Sequence, residues 1–341
     1  MTLKENVLLK LIECKKSGND KKPEANGSFI SGTQMALFFN VSREAVSKAV
    51  NSLIEEGYKI NAVSGKGYCL ISLSDSITKE GIRCSLYSKY SDMPLFVYKQ
   101  TDSTNKRALE AAMVQDFGRD SSIALYAAEK QTNGRGRLGR SFETFPGKNI
   151  YMSVVVSPKA SAEDTVMITT AASVAVLRAV KKVCGIDLDI KWVNDLYYKK
   201  HKICGILTQA VTDCEGGRIE HVVVGIGINY YVPENEIPDE LKEKAAALYY
   251  SQEKDMPVRD ILIAQVTNEL LEISENADTN SFIEDYRKHS MILGKKVNVI
   301  SEGREKMAVA EAIDEHGWLK VRYDDGGCET LSTGEVTIRT V

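Results

Sequence analysis

The spacing of apolar residues changes character twice along this 341-residue chain, and that change constrains the fold more than any other feature. Up to about residue 55, apolar residues recur at helical spacing. Between about 94 and 290, apolar runs of strand length alternate with helical ones. From Leu293 onward only short β-rich runs remain, separated by turn signals such as Asp325-Gly326-Gly327. Three regimes imply three parts, 1–75, 76–291 and 292–341, and an α+β fold class.

In the first part, Val7, Leu8, Leu9, Leu11 and Ile12 give one apolar helix face. The stretch from Lys15 to Gly27, with Gly18 and Pro23, reads as a loop. Ser31 to Phe39 and, after Asn40-Val41, Ser42 to Leu53 read as two helices about a short turn. Ser42 is placed to cap the second, whose Val46, Ala49, Val50 and Leu53 share a face. Glu55-Glu56-Gly57 ends it, and Tyr58-Lys59-Ile60 pairs with Tyr68-Cys69-Leu70 across Gly65-Lys66-Gly67. Helix, turn, helix and hairpin together make a winged helix-turn-helix. Ser42, Arg43, Glu44, Ser47 and Lys48 would meet the DNA major groove, and Lys66 on the wing would meet phosphate. Residues 1–72 hold nine Lys and one Arg against seven acids, a net of +3, which leaves −6 for the remainder of a chain whose total is −3. That asymmetry fits a DNA-binding head on a body that does not bind DNA; a protein-interaction module of the same outline is the alternative.

Residues 76–93 read as a polar connector. In the body, Leu95–Tyr98, Ile123–Ala127, Ile150–Val156, Leu188–Trp192, Ile203–Val211 and Ile219–Ile228 read as strands. The segments 162–183, 256–275 and 279–290 read as helices. The last part, with runs at Lys296–Ile300, Met307–Ala310, Leu319–Tyr323 and Val336–Arg339, reads as a small SH3-like barrel.

Seven cysteines lie scattered without a Cys-x-x-Cys pair. They argue against a disulfide framework or a zinc site and fit a reducing, cytoplasmic setting. No apolar run reaches the roughly 18 residues that span a bilayer, so no membrane association is expected.

The chemistry concentrates in five segments. Asp102-Ser103-Thr104-Asn105 follows a strand and opens a helix, where free amides favour a polar or anionic ligand; simple capping is the plain alternative. Gly134-Arg135-Gly136-Arg137-Leu138-Gly139-Arg140 alternates backbone freedom with permanent positive charge, as a clamp over an anion requires. It could equally be a basic surface loop. Lys191-Trp192-Val193-Asn194-Asp195 lies at a strand end, and Lys202-Ile203-Cys204-Gly205-Ile206-Leu207 carries a lysine into an apolar strand. Gly225-Ile226-Gly227-Ile228-Asn229 interrupts a strand with glycine, where a ligand or another backbone comes close.

Together, in this order, these segments resemble the biotin protein ligases, in particular the bifunctional ligases that also repress biotin operons. The resemblance spans nearly the whole chain. It implies a central mixed sheet of the class II synthetase type. It also implies a two-step reaction in which biotin and ATP give biotinyl-5′-AMP, and biotin then passes to a lysine of the biotin carboxyl carrier protein of acetyl-CoA carboxylase. ATP, biotin and Mg²⁺ are the implied ligands. Cations are needed where carboxylate meets polyphosphate, and Lys202, Arg135 and Arg137 are the catalytic candidates. The resemblance puts biotin against Ser103, Thr104, Asn105, Gln131, Arg135, Gly136, Arg137, Lys202, Gly205 and Leu207. It puts the adenylate against Arg137, Arg140, Phe142, Lys191, Asn194 and Asn229. Asp195 would hold Mg²⁺ or orient a basic group. Adenylate binding would promote a homodimer that reads operator DNA.

Two positions depart from the family pattern. Val193 stands where proline is usual, which loosens the turn before Asn194. Phe142 stands where tryptophan is usual and offers less stacking area. A biotin- or adenylate-sensing regulator without ligase activity is the main alternative, and a lipoate ligase the other.

Overall fold

The protein, seen in a computed structural model that describes residues 1–17, 28–117, 122–139, 147–157, 165–212, 219–233, 246–250, 256–276, 281–301, 304–332 and 335–338, divides into two units. The first takes Met1–Asp92 and Pro257–Gln265, and the second Met93–Met256 and Val266–Val341.

The first unit starts with helices α1 (Leu3–Ser17), α2 (Gly32–Phe39) and α3 (Arg43–Glu55) and the antiparallel hairpin β1 (Lys59–Val63) and β2 (Gly67–Ser72). The Ser31 hydroxyl accepts from the Thr33 and Gln34 amides, and Gln34 Oε1 accepts from the Ser31 N–H at 3.1 Å, a reciprocal cap on α2. Asn40, at φ 52°, closes α2 in the left-handed region that Asn tolerates. Ser42 Oγ then accepts from the Ala45 N–H at 3.1 Å and starts α3. The face expected from spacing is the buried one: Val46, Ala49, Val50 and Leu53 pack with Val7, Leu8, Leu11 and Met35. Each such aliphatic side chain contributes about 1.5–3 kcal/mol on burial. Helix α1 continues through Lys15 and Lys16, where a loop was expected; residues 18–27, the rest of that expected loop, lie outside the described ones.

The connector expected over residues 76–93 is instead packed structure. Thr78 Oγ1 caps helix α4 (Lys79–Ser85), and Ile82, Tyr90 and Met93 are buried. The segment looked polar because it buries charge in pairs. Lys4 Nζ lies 2.8 Å from Glu80 Oε1, and Arg83 Nε 3.5 Å from Glu5 Oε1. Thr78 also donates its N–H (3.0 Å) and hydroxyl (2.7 Å) to the Asp260 carboxylate, and Tyr58 Oη lies 2.6 Å from Thr78 Oγ1.

The second unit is built on a seven-stranded mixed sheet. Its strands are β3 (Leu95–Tyr98), β4 (Ala124–Ala128), β5 (Lys148–Val156), β6 (Asp189–Lys191), β7 (Asp195–Tyr198), β8 (His201–Thr212) and β9 (Ile219–Tyr231), in the order β3-β4-β5-β9-β8-β7-β6. Among the described strands of this sheet, only β3 and β4 pair in parallel. Helix α5 (Thr104–Met113) covers one face, burying Ala108 and Ala112 with Val155, Val211 and Val223. Helix α6 (Thr165–Cys184) covers the other, where Thr169 Oγ1 donates to Thr208 Oγ1 at 2.8 Å. Covered on both faces, β5 and β9 are almost wholly buried, which is why their sequences are continuous apolar runs.

Helices α7 (Arg259–Glu275) and α8 (Ser281–Lys288) follow. The C-terminal strands β10 (Lys296–Ser301), β11 (Arg304–Ile313), β12 (Leu319–Tyr323), β13 (Cys328–Leu331) and β14 (Glu335–Ile338) form an SH3-like antiparallel sheet ordered β13-β12-β11-β10-β14. Strands β7 and β13, of 4 residues each, are too short to read from the sequence. Six cysteines are free thiols, and Cys214 lies outside the described residues. Among the described residues, no helix is long and apolar enough to cross a membrane.

Candidate functional site

The strand register lines up the polar motifs on one face of the sheet. Lys191 pairs with Asp195, Asp195 with Gly205, Gly205 with Gly227, and Gly227 with Tyr151. Cross-strand partners share a face. One row therefore gathers residues of three segments that lie far apart in sequence. Gly205 and Gly227 are part-exposed in otherwise buried stretches, so the sheet surface opens where the two glycines meet.

A bulge brings Lys202 onto this face. The β7–β8 register slips between Leu196 and Tyr197, so that Cys204 faces Leu196 but Lys202 faces Tyr197. Without the slip, strict alternation from Gly205 would send Lys202 to the opposite face. With it, Lys202 Nζ comes 2.6 Å from Asp195 Oδ1. Cys204, on the other side, is fully buried, and burial pushes its thiol well above the ordinary range.

The first turn of α5 sits over the adjoining row. Ser103 is the N-cap, its Oγ accepting from the Lys106 N–H at 3.4 Å. Thr104 donates its N–H (2.6 Å) and hydroxyl (3.1 Å) to Gln131 Oε1, and Ser153 Oγ lies 2.8 Å from Thr104 Oγ1. Asn105 donates to the Leu207 carbonyl (3.2 Å) and to Gln209 Oε1 (3.1 Å), and its Oδ1 accepts from Ser153 at 2.6 Å. Both Asn105 amide hydrogens and its carbonyl are thus engaged by the protein. Gly225 exists to admit this side chain: a Cβ there would lie 1.9 Å from Asn105 Oδ1. The close approach expected at that glycine is made by an asparagine. Beside it, Asp102 is held below the ordinary carboxylate range by its hydrogen bonds from Lys106 and the Ser103 amide. Ser153 and Gln209 were not singled out in the sequence; a polar residue inside an otherwise apolar strand was the available signal.

The glycine–arginine loop enters from the Gln131 side. The Thr132 N–H donates to the Thr101 carbonyl (3.0 Å) and the Asn133 N–H to the Asp102 carbonyl (2.9 Å), tying the loop's start to the α5 turn. Arg135 is exposed, whereas Gly136 and Arg137 are half-buried. Arg137 Nη1 donates to Asn194 Oδ1 at 3.1 Å, and Asn194 Nδ2 donates to the Ile206 carbonyl at 2.7 Å. The loop and the Lys191–Asp195 segment therefore meet directly. Lys191 Nζ stands 6.0 Å from the Tyr197 ring centre. Asn229 donates to the Ala246 carbonyl at 3.0 Å, while its buried Oδ1 has no donor among the described residues. Arg140 and Phe142 lie outside the described residues.

In the first unit, Ser42, Arg43, Glu44 and Lys48 are exposed on α3, Ser47 is half-buried, and Lys66 is exposed on the hairpin. Lys48 pairs with Glu44 at 2.8 Å.

Comparison with known proteins bears directly on this arrangement. The Biotin/lipoate A/B protein ligase family matches residues 97–229, an HTH domain matches 24–69, and the Biotin protein ligase C terminal domain matches 292–339. The bifunctional ligase/repressor BirA of Bacillus subtilis is 36% identical over 225 residues, covering 66% of this chain and 67% of that protein. The chain belongs to the biotin protein ligases, among their bifunctional ligase/repressors. BirA of Escherichia coli is 26% identical over 322 residues, covering 93% of this chain and 95% of that one. The structure of the Aquifex aeolicus biotin protein ligase in complex with biotin and ATP superposes with a TM-score of 0.56 at 25% identity, covering 72% of this chain and 99% of that one.

Within this ligase, the Trp192–Val193 peptide is cis at the position where the family pattern has proline. The segment is held from both sides. Tyr286 Oη donates to the Val193 carbonyl at 3.0 Å, and Trp192 Nε1 to the Gly317 carbonyl at 3.0 Å. Tyr286 is fully buried, and burial keeps its phenol protonated far above the ordinary range. The turn expected to be loose without proline is thus fixed by hydrogen bonds. Among the described residues, no group of three or more His, Cys, Asp or Glu could hold a metal ion by itself.

Proposed function

We propose that the protein forms biotinyl-5′-AMP from biotin and ATP, transfers biotin to a lysine of the biotin carboxyl carrier protein of acetyl-CoA carboxylase, and represses biotin genes when the adenylate is bound. The observation that carries the reading is the meeting of four elements: Lys202 with Asp195, Arg137 with Asn194, the sheet opening at Gly205 and Gly227, and the α5 turn.

In the first step a biotin carboxylate oxygen attacks the α-phosphate, and pyrophosphate leaves. Lys202 and the loop arginines, Arg135 and Arg137, offset the negative charge that gathers between them. Lys202 is held for this by Asp195. A magnesium ion, when bound, would supply further charge neutralisation there. It binds such sites through one or two carboxylates plus the phosphates themselves, which fits Asp195 as the candidate protein carboxylate.

The ureido head of biotin requires a few placed polar groups in an otherwise apolar site. Ser103, Thr104 and Gln131 supply them, with the backbone of Gly136, Gly205 and Leu207, while Asn105 locks the strands that carry Leu207 and Gln209. Lys191, Asn194, Asn229, Arg140 and Phe142 are assigned to the adenylate. The enclosed Asn229 Oδ1 is an acceptor suited to a nucleotide donor. In the second step the acceptor lysine, as the free amine, attacks the acyl carbon, AMP leaves, and an amide forms.

For repression, two winged helices of an adenylate-bound homodimer would present Arg43, Ser47 and Lys48 to operator half-sites, with Lys66 on phosphate. The organisation assigned is 1–75 for DNA, 76–291 for catalysis and 292–341 for the barrel.

Incubation with the apo carrier domain, biotin, ATP and Mg²⁺, followed by mass spectrometry, tests the ligase reading. Biotin on the carrier lysine, dependent on all three, is expected. An unmodified carrier would contradict it. Adenylate-dependent operator binding, with a salt slope reduced by about one on Lys66→Ala, tests the repressor half.

A further inference from the structure

We propose that the tip of the β7–β8 hairpin, Lys199-Lys200, is the docking point for the acceptor protein, receiving acidic side chains that flank its target lysine. This role rests on the ligase reading above and adds the surface by which the second substrate is recognised.

Strands β7 and β8 are joined by a two-residue turn, with Tyr198 facing His201. Both turn residues take positive φ, 48° at Lys199 and 71° at Lys200. A hairpin turn of this kind favours Asn-Gly, because in the left-handed region Cβ crowds the following carbonyl oxygen; Gly has no Cβ, and the short polar Asn side chain can hydrogen-bond locally. Two lysines are a poor choice for the turn. Such conflicts between local preference and observed residue are expected where function retains them.

The charge arrangement supports the same role. Lys199 and Lys200 are exposed, and among the described residues no carboxylate pairs with either. Lys199 Nζ rests 4.9 Å from the Tyr198 ring centre instead. Lys202, two residues on and so roughly 7 Å along the strand, is the group that meets the reacting carboxylate. The tip therefore stands at the rim of the reaction site.

An acceptor must bring a cationic lysine toward Arg137, Lys191 and Lys202. Like charges oppose that approach. Acidic residues beside the acceptor lysine would offset the repulsion and meet unpaired cations at the rim, which steers the encounter and fixes its orientation. A nucleotide phosphate is the competing anion.

The test replaces the tip with the sequence its backbone prefers, Lys199→Asn with Lys200→Gly, so that the charge goes and the turn is retained. Full-length protein is assayed for biotin-dependent pyrophosphate–ATP exchange and for transfer to the apo carrier domain of acetyl-CoA carboxylase. Exchange within about twofold of the wild type, a carrier KM raised about five- to tenfold, and a weaker dependence of that KM on salt are expected. An unchanged carrier KM would overturn the proposal. So would exchange falling in step with transfer, since the tip would then serve the nucleotide phosphates. Absence of exchange in the wild type would instead remove the ligase reading itself.

Discussion

Lys202 Nζ lies 2.6 Å from Asp195 Oδ1, although regular alternation along β8 would aim the two side chains at opposite faces of the sheet. One register slip at Leu196/Tyr197 makes the pair. Asp195→Asn keeps the shape and removes the charge that holds the ammonium. Biotin-dependent pyrophosphate exchange should fall roughly tenfold, about 1.4 kcal/mol of transition-state stabilisation, with circular dichroism unchanged. An unchanged exchange rate would mean Lys202 needs no such partner.

Gly225→Ala places a methyl 1.9 Å from the Asn105 carbonyl oxygen. Asn105 must leave its bonds to Leu207 and Ser153, so the strands and the α5 turn lose their lock. Overpacking of this kind costs about 1–3 kcal/mol. Thermal unfolding should show a lower midpoint, and titration calorimetry a weaker affinity for biotin.

Much of this architecture was legible from residue spacing. The α3 face, the hairpin and the strands β3, β4, β5, β8 and β9 follow from period and caps, because their apolar residues are also their buried ones. Helix α4 was not legible: Glu80 and Arg83 look solvated in sequence, and their burial depends on Lys4 and Glu5, more than seventy residues away. The motifs named most of the candidate site but not its geometry. The slip that turns Lys202 around has no local signature, and the roles of Ser153 and Gln209 appear only when Asn105 reaches across from α5.

Asp260 accepts from the Thr78 amide and hydroxyl in the first unit, and Thr78 in turn meets Tyr58 at the end of α3. Asp260→Ala leaves Thr78 without its acceptor. The loss of hydrogen bonds to a buried carboxylate should cost about 3 kcal/mol. Differential scanning calorimetry should show a lower unfolding temperature, and operator binding should weaken before pyrophosphate exchange does.

The Asp102 carboxyl titrates below its unfolded value, near 3.9, because Lys106 and the Ser103 amide favour the charged form. Its contribution to stability is therefore fully present above about pH 4 and is lost as pH falls through the lower folded value. Asp102→Asn should unfold more easily than the wild type at pH 7, and the gap should close as unfolding is measured at progressively more acid pH. A gap that stays constant would show that the ionised carboxylate contributes nothing.

If Lys202, held by Asp195 on the open face of the sheet, serves adenylation, its removal must slow that step. Exchange of labelled pyrophosphate into ATP, with Mg²⁺, measures that step directly in wild type and Lys202→Ala. Biotin-dependent exchange by the wild type, slowed about 10²–10³-fold in the variant, is the expected result. Wild-type protein that is folded and binds biotin but shows no exchange would contradict the claim and leave a ligand-sensing regulator in its place.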